Sequence, residues 1–281
     1  MKWNWVTNKE KRNIMSKNRN IKRCIATAVL LAFIGAGTSL HAQQDRNQTL
    51  VRSEAYGLEY EIKAGFNIGG TTPLPLPEEI RALTGYSPNI NLAIEGDLLK
   101  WWGEQRKWGV IVGVRLENKG MEAKARTKNY SMEIIGDGGE RMKGNWTGRV
   151  KTKYRASLVS VPLLAAWRAS DRVRLSAGPY LSVMTSGDFS GYVYDGYLRE
   201  GNPTGNKVNF EGDSTAPYDF SDDLRSLQWG VQAGATWRAF KHLNVHADLH
   251  WGLSDIFKKD FQTITFAMYP IYVNIGFGYA F

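Results

Sequence analysis

The sequence predicts an all-β chain: one eight-stranded antiparallel up-and-down barrel that crosses a membrane on its strands. Three observations carry this. Eight segments of 12 residues or more alternate with a period of two, and a tilted strand needs only about 9–11 residues to cross a bilayer. Long and short connections alternate along the chain. The face opposite the apolar one carries no charge at all in the closing segment.

The segments follow in order. Leu58 to Gly69 sets Ile62, Ala64, Phe66 and Ile68 on one face, and Pro88 to Leu99 does the same with Ile90, Leu92, Ile94 and Leu98. Trp108 to Glu122 continues with Trp108, Val110, Val112, Val114 and Leu116. Tyr154 to Trp167 alternates less well, and Pro162 predicts a bulge there, because proline cannot donate to a ladder. Arg172 to Ser186, Leu227 to Phe240 and Leu243 to Ser254 restore the period, with faces such as Leu243, Val245, Ala247, Leu249 and Trp251. Met268 to Phe281 is the strictest, apolar or aromatic at every odd position from Tyr269 to Phe281.

Four joins are long, about 18, 31, 40 and 13 residues; the other three, near Gly103 to Lys107, Ala169 to Asp171 and Lys241 to His242, are very short. An even strand number with tight turns at one end and long loops at the other is the plan of a barrel in the bacterial outer membrane. Its turns are periplasmic and its loops extracellular. The alternative is a soluble barrel with its apolar side inward around a ligand. The second face decides, because a surface facing water should be rich in Lys and Glu, whereas the closing segment offers Pro270, Tyr272, Asn274, Gly276, Gly278 and Ala280.

Elsewhere that second face mixes signs. Lys63, Glu95, Asp97, Arg115, Glu117, Arg155, Arg174, Arg238, His246, Asp248 and His250 are therefore expected to form a polar network in a narrow lumen, where unpaired charge would be costly. At eight strands the interior should be filled by side chains, so no diffusion pore is expected. Trp101, Trp102, Trp108, Trp167, Trp237 and Phe240 gather at the short-turn ends, with Tyr279 and Phe281 at the matching end of the last strand. They are expected to form an interfacial aromatic girdle.

The amino terminus reads as a secretory leader. A basic stretch with Lys17, Arg19, Lys22 and Arg23 precedes an uncharged apolar run from Cys24 to Leu40, followed by Ala42 as the last residue removed. A membrane anchor is the competing reading, but the run is short and contains Gly35 and Gly37. Met15 is a candidate start. The expected organisation is a signal peptide over 1–42, a periplasmic lead over 43–57 and the barrel over 58–281. Residues 1–42 hold eight of the 36 Lys/Arg and one of the 27 acidic residues, which leaves 28 against 26, or +2. The basic balance thus belongs to the leader and gives no argument for nucleic acid. Cys24 leaves with it, so the rest has no thiol or disulfide.

Candidate chemistry is sparse. His242 is followed by His246, Asp248 and His250, the last three on one strand face. Same-face neighbours stand roughly 7 Å apart, so a metal or proton-relay site would need ligands from other strands. No G-x-S-x-G, P-loop or H-E-x-x-H motif occurs after the leader, and no catalytic, metal or cofactor residue is assigned. In the first long loop Pro77 predicts the start of a short helix, with Glu78 and Glu79 in its first turn and Ile80 and Leu83 on one face. The Gly-rich loops over 121–153 and 187–226 are expected to be surface segments, either recognition loops or plain solvated ones.

Four stretches, "IKAGFNIGGTTPLPLPEEIRALTGYSPNINLAIEGDLLKWW", "KWGVIVGVRLENKGMEAK", "VSVPLLAAW" and the terminal aromatic strand, resemble the PorT-like outer-membrane β-barrel proteins of Bacteroidota. The resemblance runs from Leu58 to Phe281. It implies contact with outer-membrane lipid and delivery through the periplasm, with Phe281 as part of the signal read by the barrel-assembly machinery. It also implies envelope or secretion-apparatus proteins as partners, since PorT itself is associated with secretion and gliding. The functional readings are a structural or surface-interaction barrel, an envelope-assembly or secretion component, an outer-membrane enzyme, and a soluble ligand-binding barrel.

Overall fold

The computed structural model describes residues 56–136 and 139–281. The leader over 1–42 and nearly all of the lead over 43–57 lie outside them. Eight strands close a ring: β1 (Leu58–Pro73), β3 (Asn91–Trp102), β4 (Trp108–Ile135), β5 (Arg141–Arg168), β6 (Val173–Glu200), β8 (Leu227–Arg238), β9 (Leu243–Gly252) and β10 (Met268–Ala280). The hydrogen-bonded circuit runs β3-β1-β10-β9-β8-β6-β5-β4 and returns to β3, every pair antiparallel. First and last strands seal each other from Glu61↔Ala280 to Pro73↔Met268. Closure removes the unpaired edges that a bilayer would not tolerate.

The side-chain period sets what each face meets. Large apolar residues stand exposed around the outside, among them Ile62, Phe66, Ile94, Leu163, Trp229 and Phe277, while Lys63, Glu95, Arg115, Gln232 and Asn274 point inward and are buried. A soluble barrel reverses this arrangement. Among the described residues no helix is long and apolar enough to cross a membrane, which has no bearing on strands.

Two further strands, β2 (Ile80–Pro88) and β7 (Lys207–Asp219), lie beyond the ring. They pair with β4 and β6, which with β5 are 28 residues long. Above the membrane the sheet continues as β2-β4-β5-β6-β7, a folded head. The outer face of β4 changes from Leu116 to Glu122, Lys124 and Arg126, while Met121, Ala123, Ala125 and Thr127 continue the inner row. At Asn129, whose φ of 57° suits asparagine, a bulge between Thr127 and Tyr130 flips the parity. Tyr130, Met132 and Ile134 then face inward. Matching irregularities lie beside it at Thr147/Arg149 and Tyr194/Gly196, so the head bends as one sheet.

Beneath that sheet lies an apolar core. Met132, Ile134, Trp146, Tyr154, Phe189, Val193 and Leu198 pack against Phe220, Leu224, Ile256, Phe257 and Ile264 from the loops after β7 and β9. The stretches expected as surface loops are therefore mostly paired strand over a core. The helix expected from Pro77 is absent, because Ile80 to Pro88 pairs with Thr127 to Met121 and the ladder takes the backbone groups a helix would use. Pro162 keeps its register opposite Tyr180, and the bulge falls at Ser157/Leu158 instead.

Candidate functional site

Two regions gather functional groups: the lumen and the head. In the lumen, Lys63 Nζ donates to Glu95 Oε1 at 2.9 Å and lies 2.6 Å from Asp97. Arg115 Nη1 donates to Glu95 at 2.7 Å and to Gln232 at 2.9 Å, and its Nε is 3.3 Å from Glu117. Glu117 also accepts from Ser160 at 2.6 Å and Asn67 at 3.1 Å, with Lys119 Nζ at 3.2 Å. Nearer the turns, Glu61 accepts from Arg174 and from Asn244, the latter at 2.6 Å. At the periplasmic mouth Glu59 faces Arg168, Arg174 and Arg238 and accepts from Trp101 Nε1 at 3.0 Å.

Charges of both signs are interleaved: the buried carboxyl groups of Glu61, Glu95, Asp97, Glu117 and Asp248 stand with buried Lys63, Arg115, Lys119 and Arg174, and the half-exposed mouth sets Glu59 against Arg168 and Arg238. Buried ions need such neighbours. Glycine makes the room. A Cβ at Gly113 would sit 2.1 Å from Asp97 Oδ1, and one at Gly234 1.8 Å from Asp248 Oδ1, because each aspartate lies directly across the ladder from its glycine. At the turn end a crevice of about 20 Å³ remains between Trp101, Arg168, Arg174 and Asn244. From Glu61 and Lys63 to Glu117 and Asn274 the inward side chains are buried and fill the lumen.

His246, Asp248 and His250 are all inside and buried. His246 Nε2 lies 2.8 Å from Asn274 Oδ1 and His250 Nε2 3.1 Å from Arg115 Nη1, with the His250 ring 6.0 Å from that of Tyr180. Among the described residues no group of three or more His, Cys, Asp or Glu is placed to hold a metal ion. All three side chains of the row are buried among the residues that fill the lumen.

Two assignments need correction. Arg155 is exposed on the outer face, one residue out of step with buried Tyr154 and Ala156; weak alternation in β5 hid its parity. Trp101 belongs to the inward row with Leu99 and is buried, with the Arg168 guanidinium 4.4 Å over its ring. It plugs the mouth while Trp102, its neighbour, faces out. Trp108, Trp167, Trp237, Phe240, Tyr279 and Phe281 are exposed at the turn end, with Trp108 stacked on Trp167 at 6.0 Å. Glu61 and Lys119 were missed, although they share parity with Lys63 and with Arg115 and Glu117.

The family is now decided. The outer membrane protein beta-barrel domain family matches residues 41–258. The chain belongs to this family, and its location is the outer membrane. No curated protein matches it. Solved structures similar to it include Ail, the attachment invasion locus protein of Yersinia pestis, at 13% identity over 79% of this chain and 98% of that one, TM-score 0.32. Others are the outer membrane protease OmpT from Escherichia coli, at 12% over 80% and 96%, TM-score 0.31, and OprG from Pseudomonas aeruginosa, at 12% over 79% and 95%, TM-score 0.27. At such scores nothing about this chain's activity follows from them.

The head's outer face carries a basic patch where β4 meets β5. Lys124 stands directly opposite Lys151, and Arg126 opposite Arg149. Like charges in register destabilise a ladder. Glu122 at 3.3 Å and Asp195 at 3.4 Å relieve Lys151 and Arg149. Beyond them Tyr192, Tyr194 and Tyr197 form an aromatic ridge, with Lys151 over Tyr192 and Lys207 over Tyr197. Inside the head, burial pushes the phenols of Tyr130 and Tyr218 up, so both stay protonated, and Tyr218 Oη donates to Lys151 O at 3.1 Å.

Proposed function

We propose that this protein is a closed outer-membrane barrel whose task is surface interaction: it holds a rigid head outside the membrane, and the basic patch on the β4–β5 face of that head receives an anionic partner. The carrying observation is the like-charge ladder, Lys124 facing Lys151 and Arg126 facing Arg149, on strands that rise without a break from a filled lumen. Such an arrangement costs stability when empty and gains when an anion lies across it. A filled lumen supports anchoring over conduction. The histidine row supports packing over catalysis.

The test separates binding from folding. In neutral-lipid nanodiscs, the K124E/R126E variant is expected to unfold at slightly higher denaturant than the wild type, by about 0.2–1 kcal/mol per relieved pair. It is also expected to bind vesicles carrying a phosphorylated glycolipid at least tenfold more weakly at low salt. Wild type that binds these vesicles no better than neutral ones sinks the reading.

Envelope assembly, including the secretion and gliding machinery implied by the PorT-like resemblance, is the process in which we place this head; the resemblance alone supports that finer statement. Barrel-assembly machinery is the proposed partner of the C-terminus. Phe281 is exposed, edge-on to Tyr279 at 5.1 Å, and its N–H donates to Tyr60 O at 3.0 Å. Its deletion removes little packing, so membrane insertion yield should fall severalfold while the denaturation midpoint of the inserted fraction hardly moves. Unchanged yield in vivo would count against the signal.

A further inference from the structure

A cavity of about 470 Å³ lies where the barrel opens into the head, within the size range of small-molecule sites. Its cause is local. Ala123, Ala125, Thr127, Val150 and Thr152 carry the inner rows of β4 and β5 through this level with short side chains, whereas the same rows nearer the periplasm carry Arg115, Glu117 and Lys119. Tyr130, Phe189, Phe266, Thr71, Met121 and Met268 complete the walls. On the periplasmic side of Met121, Asn91 Nδ2 donates to Gly120 O at 3.0 Å and Lys119 Nζ lies 5.7 Å from the Tyr272 ring. The cavity therefore ends on the lumen plug. None of its 19 lining residues is charged.

It has a side opening. β1 pairs with β3 only as far as Asn67↔Asn91, although β10 follows β1 on its other edge to Pro73. β2 takes over the position above β3 but pairs with β4 alone. Between the β1 edge at Gly69–Pro73 and β2, a hydrogen bond from Tyr86 Oη to Gly69 O at 2.6 Å crosses a gap without a ladder. Leu76, Leu83 and Tyr86 line the cavity and are nevertheless 63%, 64% and 47% exposed. Exposed Leu74 and Ile90 adjoin them, and just below lie Phe66, Ile68 and Leu92 of the lipid-facing band. The rim is thus a continuation of the membrane contact surface. An exposed apolar rim that leads into a cavity marks an interaction site.

We propose that this cavity binds one acyl chain of an outer-leaflet lipid, which enters sideways between β1 and β2. The uncharged walls exclude an anionic headgroup from the interior and leave it outside. A hydrocarbon chain reaches the site from the bilayer without crossing water, whereas a polar peptide would leave its backbone groups unsatisfied there.

The test uses the full chain in bilayers containing a phospholipid with a photoactivatable diazirine at the end of one acyl chain. Adducts are expected on cavity-facing Met121, Tyr130, Phe266 and Met268, besides those on outer-face Phe66 and Ile275. Ala123→Phe and, separately, Ala125→Leu should cut the cavity adducts at least fivefold and spare the outer ones. Adducts confined to outer-face residues overturn the proposal, as do cavity adducts that persist in both filled variants. Equal labelling by a diazirine fatty acid added only from solution overturns the lateral route. Should both variants lose heat-dependent gel mobility, the mark of a folded barrel, the wild-type adduct map decides alone.

Discussion

Replacing Arg115 by alanine is expected to destabilise the barrel by about 3–5 kcal/mol, the usual cost of stripping one partner from a buried ion cluster. Arg115 is 2% exposed and touches Glu95, Glu117, Gln232 and His250. Its removal leaves the carboxylates of Glu95 and Glu117 with one lysine each, and empties the centre of the lumen. Two readouts follow. Urea denaturation in lipid vesicles reports the stability loss, and planar bilayers report the second effect, a small cation-preferring conductance absent from the wild type. A stable, non-conducting variant would show that the network does not hold the lumen shut. Arg115→Lys should recover part of the stability, since a point charge restores neutralisation without the two-carboxylate reach of a guanidinium.

Trp146→Ala should act on the other end of the molecule. Trp146 is fully buried, edge-on to Phe210 at 5.4 Å, and truncating a buried tryptophan costs about 3–5 kcal/mol. The loss falls on the head, whose core rests on Met132, Ile134, Val193 and Leu198. Limited proteolysis should therefore cut the variant around Gly201 to Gly205, between β6 and β7, at least tenfold faster than the wild type. The membrane part should keep its heat-dependent gel mobility. If head and barrel fail together, the two cores are a single cooperative unit.

The staves were legible because lipid makes the same demand everywhere: Ile62, Ala64, Phe66 and Ile68 alternate with polar or small partners, and since a soluble sheet with one buried face alternates too, the uncharged second face of the closing strand decided between them. The head was not. Outside the membrane the demand reverses, so β4 alternates Glu122, Lys124 and Arg126 against Met121, Ala123 and Ala125, a contrast of charged with small that reads as loop. At Asn129 the parity changes as well, which breaks any fixed period. Trp101 shows a different failure. Clustering of aromatics at the turn ends placed it correctly along the barrel axis, but only its step relative to Trp102 reveals the direction of its ring. Glu61 and Lys119 were within reach of parity alone. The lipid-facing cavity was out of reach, since it depends on a ladder that stops at Asn67↔Asn91, and a missing pairing leaves no mark in the residues themselves.

The 28-residue strands carry one last consequence. β4, β5 and β6 pass from bilayer to head with no intervening linker, and the stretch of β4 from Glu117 to Ile135 amounts to roughly 60 Å along the strand at about 3.3 Å per residue. A recognition surface on flexible loops must surrender conformational freedom each time it binds. Here that entropy is given up once, when the barrel folds, and a partner arriving at Lys124 and Arg126 meets groups already held at fixed height and angle above the lipid.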